Sequence, residues 1–225
     1  MHTAYAQDCN SQPSGGLSDA PNVFIVDDDI SVRESVDSLL RCAGWRTQTF
    51  ASAEEFLASP SHTTPGCLIL DYKLPNIDGL DLQKRIVADD RCLPIIFITC
   101  YGDPSMAVKA MKAGAMEVLI KPFGDEALLG AVQQAIARSR SVQQRHLERQ
   151  RLRLRYATLS PREREVMSLV ATGLLNKQIG CQLKVSEITV KAHRGRVMRK
   201  MKAQSLASLI TMAIKLDLEC SSSED

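Results

Sequence analysis

The chain has 225 residues, enough for one large domain or two small ones, with 44% apolar residues and a formal net charge of +2. This composition is that of an ordinary folded protein, and the small net charge alone argues against a protein built to hold a nucleic acid. The total conceals a gradient. Residues 138–216 contain 18 Lys and Arg against 4 Asp and Glu, a balance of +14, and the remainder carries −12. The sequence therefore predicts an acidic module joined to a basic one.

The sequence argues against a membrane protein and against a protein stabilised by disulfides. No apolar run reaches the roughly 18 residues that a membrane span needs, and the N-terminus does not resemble a secretory signal. The seven cysteines are irregularly spaced, with no CxxC pair, so neither a disulfide framework nor a zinc site is predicted. A reducing cytoplasm is the simplest compartment, and we expect no membrane partner.

Residues 1–20 are polar and predict a disordered tail. Across 21–137, five apolar strands alternate with helices. The predicted strands are 23–26, 47–50, 67–70, 94–99 and 118–120, and the helices are 30–42, 53–58, 80–88, 105–113 and 126–137. Apolar strands between helices are typical of a parallel sheet covered on both faces, so this part predicts a doubly wound α/β domain.

No strand pattern follows residue 138. Residues 138–157 are rich in Arg and predict a linker helix that is either solvated or paired with another helix. Residues 158–217 predict a small all-α domain of four helices, and 218–225 a C-terminal tail. The first of these helices opens with Ser160-Pro161-Arg162-Glu163, a capping-box signature. The others are expected at 176–183, 186–201 and 205–216.

Polar side chains follow the predicted strands: Asp27, Asp28, Asp71, Thr99 and Lys121. Ligands of parallel sheets collect at the carboxyl ends of the strands, so we expect these groups to meet. Clustered carboxylates need a cation, and an oxygen-only ligand set favours Mg²⁺. An Asp can attack phosphorus and form an aspartyl-phosphate, whose charge Lys121 and Thr99 would balance. Each residue alone also fits a structural role such as helix capping, which is what we expect of Asp29.

The segments VFIVDDD, LILDYKLPNIDG, IIFIT and KPF resemble the receiver domain of bacterial two-component response regulators, over about 22–137. The resemblance implies a flavodoxin-like fold in which Asp71 accepts a phosphoryl group from a sensor histidine kinase. Asp27, Asp28 and the backbone carbonyl of Lys73 would hold Mg²⁺ with Asp71. Thr99 and Lys121 would contact phosphoryl oxygens, and the Lys121–Pro122 bond would be cis.

One position departs from the family pattern. Receivers usually have an aromatic residue three places before the Lys, and it turns inward when the Thr moves. Here that position is Val118. An aliphatic side chain can still repack, but the aromatic rotamer mechanism does not carry over to this chain.

The basic part suits duplex DNA. Membrane binding and base stacking on RNA both favour aromatic side chains, and from residue 138 on the only one is Tyr156. Helices 176–183 and 186–201 predict a helix-turn-helix, with Val190, Val197 and Met201 facing the core. The candidate DNA contacts are Lys177, Thr189, Lys191, Ala192, His193, Arg194, Gly195, Arg196 and Arg199. His193 is also interpretable as a packed group, and Arg194 as the buried partner of an acid.

The segment LSPREREVMSLVATGLLNKQIGCQLKVSEITVKAHRGRVMRKM resembles the DNA-binding domain of the LuxR/FixJ/NarL class, over about 158–216. Gly180 departs from the small helix former usual at its position and should cost about 1 kcal/mol relative to Ala.

Together the resemblances imply a FixJ-like response regulator, not an enzyme. Phosphorylation of Asp71 would remodel the fourth helix, fifth strand and fifth helix, and either release the DNA-binding domain or form a homodimer. The dimer would bind promoter DNA and recruit RNA polymerase in the bacterial cytoplasm. Three alternatives remain open: a haloacid-dehalogenase-like phosphatase, an RNA-binding antiterminator with a receiver domain, and a regulator that acts without phosphorylation.

Overall fold

The computed structural model describes residues 21–59, 64–88, 93–100 and 104–220, without the side chains of residues 88 and 217–220. The expected N-terminal tail, 1–20, and residues 221–225 lie outside the described residues. The chain divides into two compact units between Gln143 and Gln144. No helix in the described part of the chain is both long and apolar enough to cross a membrane.

The first unit is a five-stranded parallel sheet of order β2-β1-β3-β4-β5 with helices between the strands, which confirms the predicted α/β fold. Its strands are β1 (Asn22–Val26), β2 (Arg46–Phe50), β3 (Gly66–Asp71), β4 (Ile95–Thr99) and β5 (Glu117–Ile120). Its helices are α1 (Ile30–Cys42), α2 (Ala53–Ala58), α3 (Gly79–Ala88), α4 (Pro104–Lys112) and the first part of α5 (Asp125–Ala157).

Alternation along β1 explains the two layers of helices. Val23 and Ile25 enter one buried cluster with residues of α1 and α5, whereas Phe24 and Val26 enter the opposite cluster with residues of α2 and α3. Successive side chains of a strand point to opposite faces, so a continuous apolar run needs cover on both sides. The carboxyl ends of β1, β3 and β4 are thereby held at one edge of the sheet.

Helix α5 differs from the prediction of two separate helices. It runs unbroken from Asp125 to Ala157 because no Gly or Pro interrupts 131–157. The expected linker is also less solvated than predicted. Ser139 is buried and its hydroxyl accepts a hydrogen bond from Gly66 N at 3.1 Å, and Leu152 is only 4% exposed. Leu152 packs in the core of the second unit.

The second unit contains the end of α5 and four further helices, as predicted: α6 (Pro161–Ala171), α7 (Asn176–Leu183), α8 (Glu187–Met201) and α9 (Leu206–Cys220). Helix α9 extends into the segment expected to be a tail. Val190, Val197 and Met201 of α8 are fully buried, which confirms the predicted core stripe. The capping box at Ser160 and Glu163 is also confirmed.

Gly180 corrects an expectation. The sequence predicted that this glycine only loosens α7, but it is buried at the turn into α8. Its carbonyl accepts a hydrogen bond from Val185 N at 2.9 Å. A Cβ at this position would lie 2.8 Å from the Val185 carbonyl oxygen. The close approach of two backbones therefore favours glycine here.

We expect that Gly180→Ala does not stabilise the protein. The helix-propensity gain of about 1 kcal/mol is opposed by displacement of the Val185 backbone. Thermal unfolding of the variant measures the balance. Gly130→Ala is the control, because a Cβ at that helical glycine meets nothing within 4 Å. A rise in melting temperature for Gly180→Ala equal to that of the control would contradict this packing argument.

Candidate functional site

A lysine joins two buried carboxylates at the edge of the sheet. Lys121 Nζ donates to Asp27 Oδ2 at 2.9 Å and to Asp71 Oδ1 at 3.1 Å. Asp27 and Asp71 are 3% and 8% exposed. Three of the five residues predicted to form this site are therefore in direct contact.

Strand pairing places these groups. Asp71 is the last residue of β3 and pairs in register with Ile98 of β4. Lys121 directly follows β5, and its backbone N donates to the Thr99 carbonyl at 2.7 Å. The Lys121–Pro122 bond is cis, as expected. Thr99 itself is buried at the end of β4.

The turn after β1 is held by its own side chains. Asp29 is the N-cap of α1 and accepts from Ser31 N at 2.8 Å, as expected for a structural acid. Asp27 Oδ1 accepts from Asp29 N at 2.9 Å. Arg33, which the sequence did not single out, donates to the Asp27 carbonyl at 2.6 Å. Asp28 remains exposed beside this buried network.

The loop after Asp71 folds back on its strand. Lys73 N donates to Asp71 Oδ2 at 2.9 Å, and Gly79 N donates to the Tyr72 carbonyl at 3.1 Å. A Cβ at Gly79 would lie 2.9 Å from the Asp71 carbonyl oxygen and 2.9 Å from the Phe97 ring. Glycine is needed here so that the start of α3 can approach the backbone at the end of β3 closely, a role that spacing alone did not indicate.

The electrostatics of Asp71 favour an added cation. Burial raises the pKa of the Asp71 carboxyl, and the charge of Asp27 adds to this, so the rise persists although Lys121 and the Lys73 N–H oppose it. Burial alone would lower the pKa of Lys121, but its hydrogen bonds and charge interactions with Asp27 and Asp71 outweigh burial and raise it. The ammonium thus stays protonated, and one lysine does not fully compensate Asp71.

The donor set fits a hard cation. Carboxylate oxygens of Asp27 and Asp71, with Asp28 adjacent, are the ligands that Mg²⁺ prefers. No group of three or more His, Cys, Asp or Glu side chains among the described residues is close enough to hold an ion by itself. A bound Mg²⁺ would therefore need water or backbone oxygen as well, which is usual for this ion.

Val118 lies within β5 and is partly buried. It pairs in register with Phe97 and packs against the cluster that contains Phe97, Ala110 and Ala115. The position that is usually aromatic in receivers is therefore filled by a side chain in contact with both β4 and α4.

The exposed face of α8 gathers most of the candidate DNA contacts. Its residues lie on the side of the helix away from the buried stripe, and they are Lys191, Ala192, Gly195, Arg196 and Arg199. Lys177, near the start of α7, is also exposed. Ile188, which the sequence analysis did not select, lies on the same face and is 79% exposed.

Three other candidates are half-buried, and two of them form hydrogen bonds within the unit. Arg194 is half-buried and its Nη1 donates to Asn176 Oδ1 at 3.1 Å, so its partner is an amide of α7 rather than an acid. Thr189 belongs to the α8 cap, where its N and hydroxyl both contact the Ser186 hydroxyl. His193 is half-buried, and its Nδ1 has no hydrogen-bond partner among the described residues.

A partly buried ion pair stabilises the C-terminal end of α8. Lys200 Nζ lies 2.5 Å from Glu163 Oε2 and also donates to the Thr158 carbonyl. Glu163 is 3% exposed and accepts from Ser160 N as well. The hydrogen bond from Lys200, followed by the one from Ser160, holds the pKa of Glu163 below its usual range.

Asp71→Asn is expected to raise the melting temperature by roughly 4 °C, the effect of about 1 kcal/mol in a domain of this size, in Mg²⁺-free buffer at pH 7. The pKa of Asp71 is higher in the folded protein than in the unfolded chain, so the folded state binds the carboxyl proton more tightly. Wild type therefore loses stability as the pH rises from the ordinary Asp pKa through the raised pKa of the folded state. The amide removes that loss. Asp28→Asn, at an exposed carboxyl, serves as control; an equal gain there, or none at Asp71, would contradict the prediction.

Glu163→Gln is expected to lower stability at pH 7 by about 1 kcal/mol. Because the pKa of Glu163 is lowered on folding, wild type keeps this stability above the ordinary Glu value and loses it as pH falls through the lower folded value. Unfolding curves of both proteins should therefore converge in acid. Glu187→Gln, which breaks the exposed pair with Lys191, is the control. A constant difference at all pH values would contradict the assignment.

Two family models match the chain. Residues 23–133 match the response regulator receiver domain, and residues 157–213 match the bacterial regulatory proteins of the luxR family. The second match decides against the RNA-binding antiterminator, whose output domain is a different helical bundle.

Relatives and solved structures share both parts. The chain is 46% identical to nodulation protein W of Bradyrhizobium diazoefficiens over 213 residues, 93% of this chain and 94% of that protein. It is 37% identical to the transcriptional regulatory protein FixJ of the same organism, over 86% of this chain and 95% of that protein.

The solved structure of the response regulator StyR superposes with a TM-score of 0.77 at 42% identity, covering 87% of this chain and 99% of that one. The structure of full-length FixJ from B. japonicum superposes with a TM-score of 0.54 at 36% identity, covering 88% of this chain and 97% of that one.

The family is one of transcriptional regulators. A receiver joined to a LuxR-type domain is the organisation of a regulator whose control of transcription depends on phosphorylation. The chain belongs to the FixJ-like response regulators of bacterial two-component systems.

Proposed function

We propose that Asp71 is the phosphoacceptor of this regulator, and that promoter binding follows its phosphorylation by a sensor histidine kinase. The observation that carries the proposal is the bridge from Lys121 to both Asp27 and Asp71 at the carboxyl edge of the sheet. An Asp71 oxygen attacks phosphorus, the P–N bond to the kinase histidine breaks, and the released imidazole takes up a proton.

The charges around Asp71 suit that transfer. Lys121 remains an ammonium and balances one phosphoryl oxygen, and the Thr99 hydroxyl donates to another. Asp27, Asp28, Asp71 and the Lys73 carbonyl would hold Mg²⁺, which supplies further charge neutralisation when it is bound. Burial, with a smaller contribution from the charge of Asp27, raises the pKa of the Asp71 carboxyl, and added positive charge would favour its ionised form.

The switch passes through β5 and α4. The acyl phosphate on Asp71 carries a charge of about −2 and lies next to Asp27. This charge favours new positions of Thr99 and Lys121. Val118 repacks against the Phe97 and Ala110 cluster in place of the aromatic rotamer. Large apolar side chains on these elements are exposed, namely Val108, Met111 and Ile120. Their exposure supports homodimerisation of the phosphorylated first unit through this surface.

The second unit is the output. Lys177, Lys191, Arg196 and Arg199 contact phosphates or bases of duplex DNA through α7 and α8, while Ala192 and Gly195 allow close approach. Arg194 and Thr189 form hydrogen bonds within the unit and position α8, and His193 is kept as a proposed phosphate contact. The promoter-bound dimer recruits RNA polymerase in the bacterial cytoplasm. We propose 21–137 as the receiver domain, 158–217 as the output domain and 138–157 as the helical segment between them, whose residues from Gln144 onward fold with the second unit.

The affinity for promoter DNA of wild type and Asp71→Asn, each with and without a small phosphodonor and Mg²⁺, tests the proposal. We expect the donor to tighten wild-type binding about tenfold or more, an effect of 1–3 kcal/mol, and to leave the variant unchanged. Phosphate incorporation is measured in parallel.

Asp78→Asn, at a nearby exposed-loop carboxyl, should respond like wild type. A full donor response in Asp71→Asn would overturn the assignment of Asp71. Phosphorylation of wild type without any change in DNA affinity would instead favour a regulator that acts independently of phosphorylation.

A further inference from the structure

Along the first nine residues of α8, the centre of the exposed face is apolar or lacks a side chain. At 3.6 residues per turn, Ile188, Ala192, Gly195 and Arg199 fall within an arc of about 60°. Val190, Val197 and Met201, all fully buried, lie on the opposite side. Three of these four residues, Ile188, Ala192 and Gly195, carry no charge. A molecule that binds along the arc therefore contacts an uncharged surface, except at Arg199.

Internal packing explains neither Ile188 nor Gly195. Ile188 is 79% exposed, the largest exposed fraction among the large apolar side chains of the described residues. A Cβ at Gly195 would meet nothing within 4 Å, so the fold does not require glycine there. Glycine inside a helix costs about 1 kcal/mol relative to Ala. An outside partner that approaches the helix closely accounts for both residues.

The flanking charges identify that partner as duplex DNA. Lys191 and Arg196 border the arc on either side, and Arg199 closes it towards the C-terminus of α8. An apolar strip between cations matches the major groove, where phosphates line the edges and one base carries an apolar group. That group is the 5-methyl of thymine.

We infer that Ile188 reads a thymine methyl group in the major groove and so determines the base at one position of each half-site. The inference rests on the proposed DNA binding through α8 and adds the base that the helix selects. Ala192 and Gly195 act by letting the helix axis come close enough for the Ile188 side chain to reach the base edge. Early positions of a recognition helix are the ones that contact base edges.

Replacement of thymine by deoxyuridine tests the contact, because it deletes only the methyl group. High-affinity duplexes are first selected from a random library with the full chain, Mg²⁺ and a phosphodonor. Each thymine is then replaced singly by deoxyuridine. We expect one position per half-site at which wild type loses about fourfold in Kd, the equivalent of one buried methylene group.

Ile188→Ala should show no such loss at that position and should accept other bases there. Ile214→Ala is the matched control, since Ile214 is 51% exposed on α9, outside the basic face. It should keep the wild-type response. Unchanged thermal melting of Ile188→Ala shows that its fold is intact.

A flat deoxyuridine scan in wild type, or an equal loss in Ile188→Ala, would overturn the inference while leaving DNA binding in place. Failure of wild type to enrich any duplex would overturn both the inference and the proposed function.

Discussion

The ammonium of Lys121 holds together an arrangement that would otherwise repel itself. Two buried carboxylates on separate strands converge at the edge of the sheet, and the lysine after β5 contacts both. Each residue lies directly at or after the end of its strand, so the order of the sheet is what brings the charges into range. The compensation is incomplete, because the pKa of Asp71 is still raised. The Mg²⁺ that we propose would add to the positive charge that Lys121 provides.

The second unit depends on a different constraint, the fixed placement of α8. Its buried side contributes Val190, Val197 and Met201 to the core, and its start is capped by Ser186. Its last turns are held by Lys200 with Glu163, and by Arg155, which donates to the Met201 carbonyl at 3.2 Å. With the helix fixed on one side and at both ends, its opposite face can remain basic and exposed. This arrangement separates the residues that build the domain from those that we propose contact DNA.

Elements and site were predictable to different degrees. Apolar runs and helical spacing located all five strands and the first four helices of the sheet domain within one residue, because burial on both faces leaves a strong pattern. Strand-end position likewise located Asp27, Asp71 and Lys121. Arg33 was missed because its partner is a backbone carbonyl, which leaves no sequence signal. Ile188 was missed although its spacing from Val190, Val197 and Met201 places it on the opposite face, because only basic, polar and small residues of that face were selected as DNA contacts.

Helix α5 was mispredicted for a related reason: its arginines dominate the local composition and conceal single apolar anchors. That helix also bears on how an autonomous output domain would be isolated. Leu152 fills the core of the second unit, Arg155 contacts the end of α8, and Glu148 pairs with Lys215 of α9 at 2.8 Å. A fragment cut where the LuxR-type match begins, at residue 157, would lose all three contacts. The smallest self-sufficient piece therefore begins near Gln144, and about four turns of α5 belong to the DNA-binding module as its N-terminal helix.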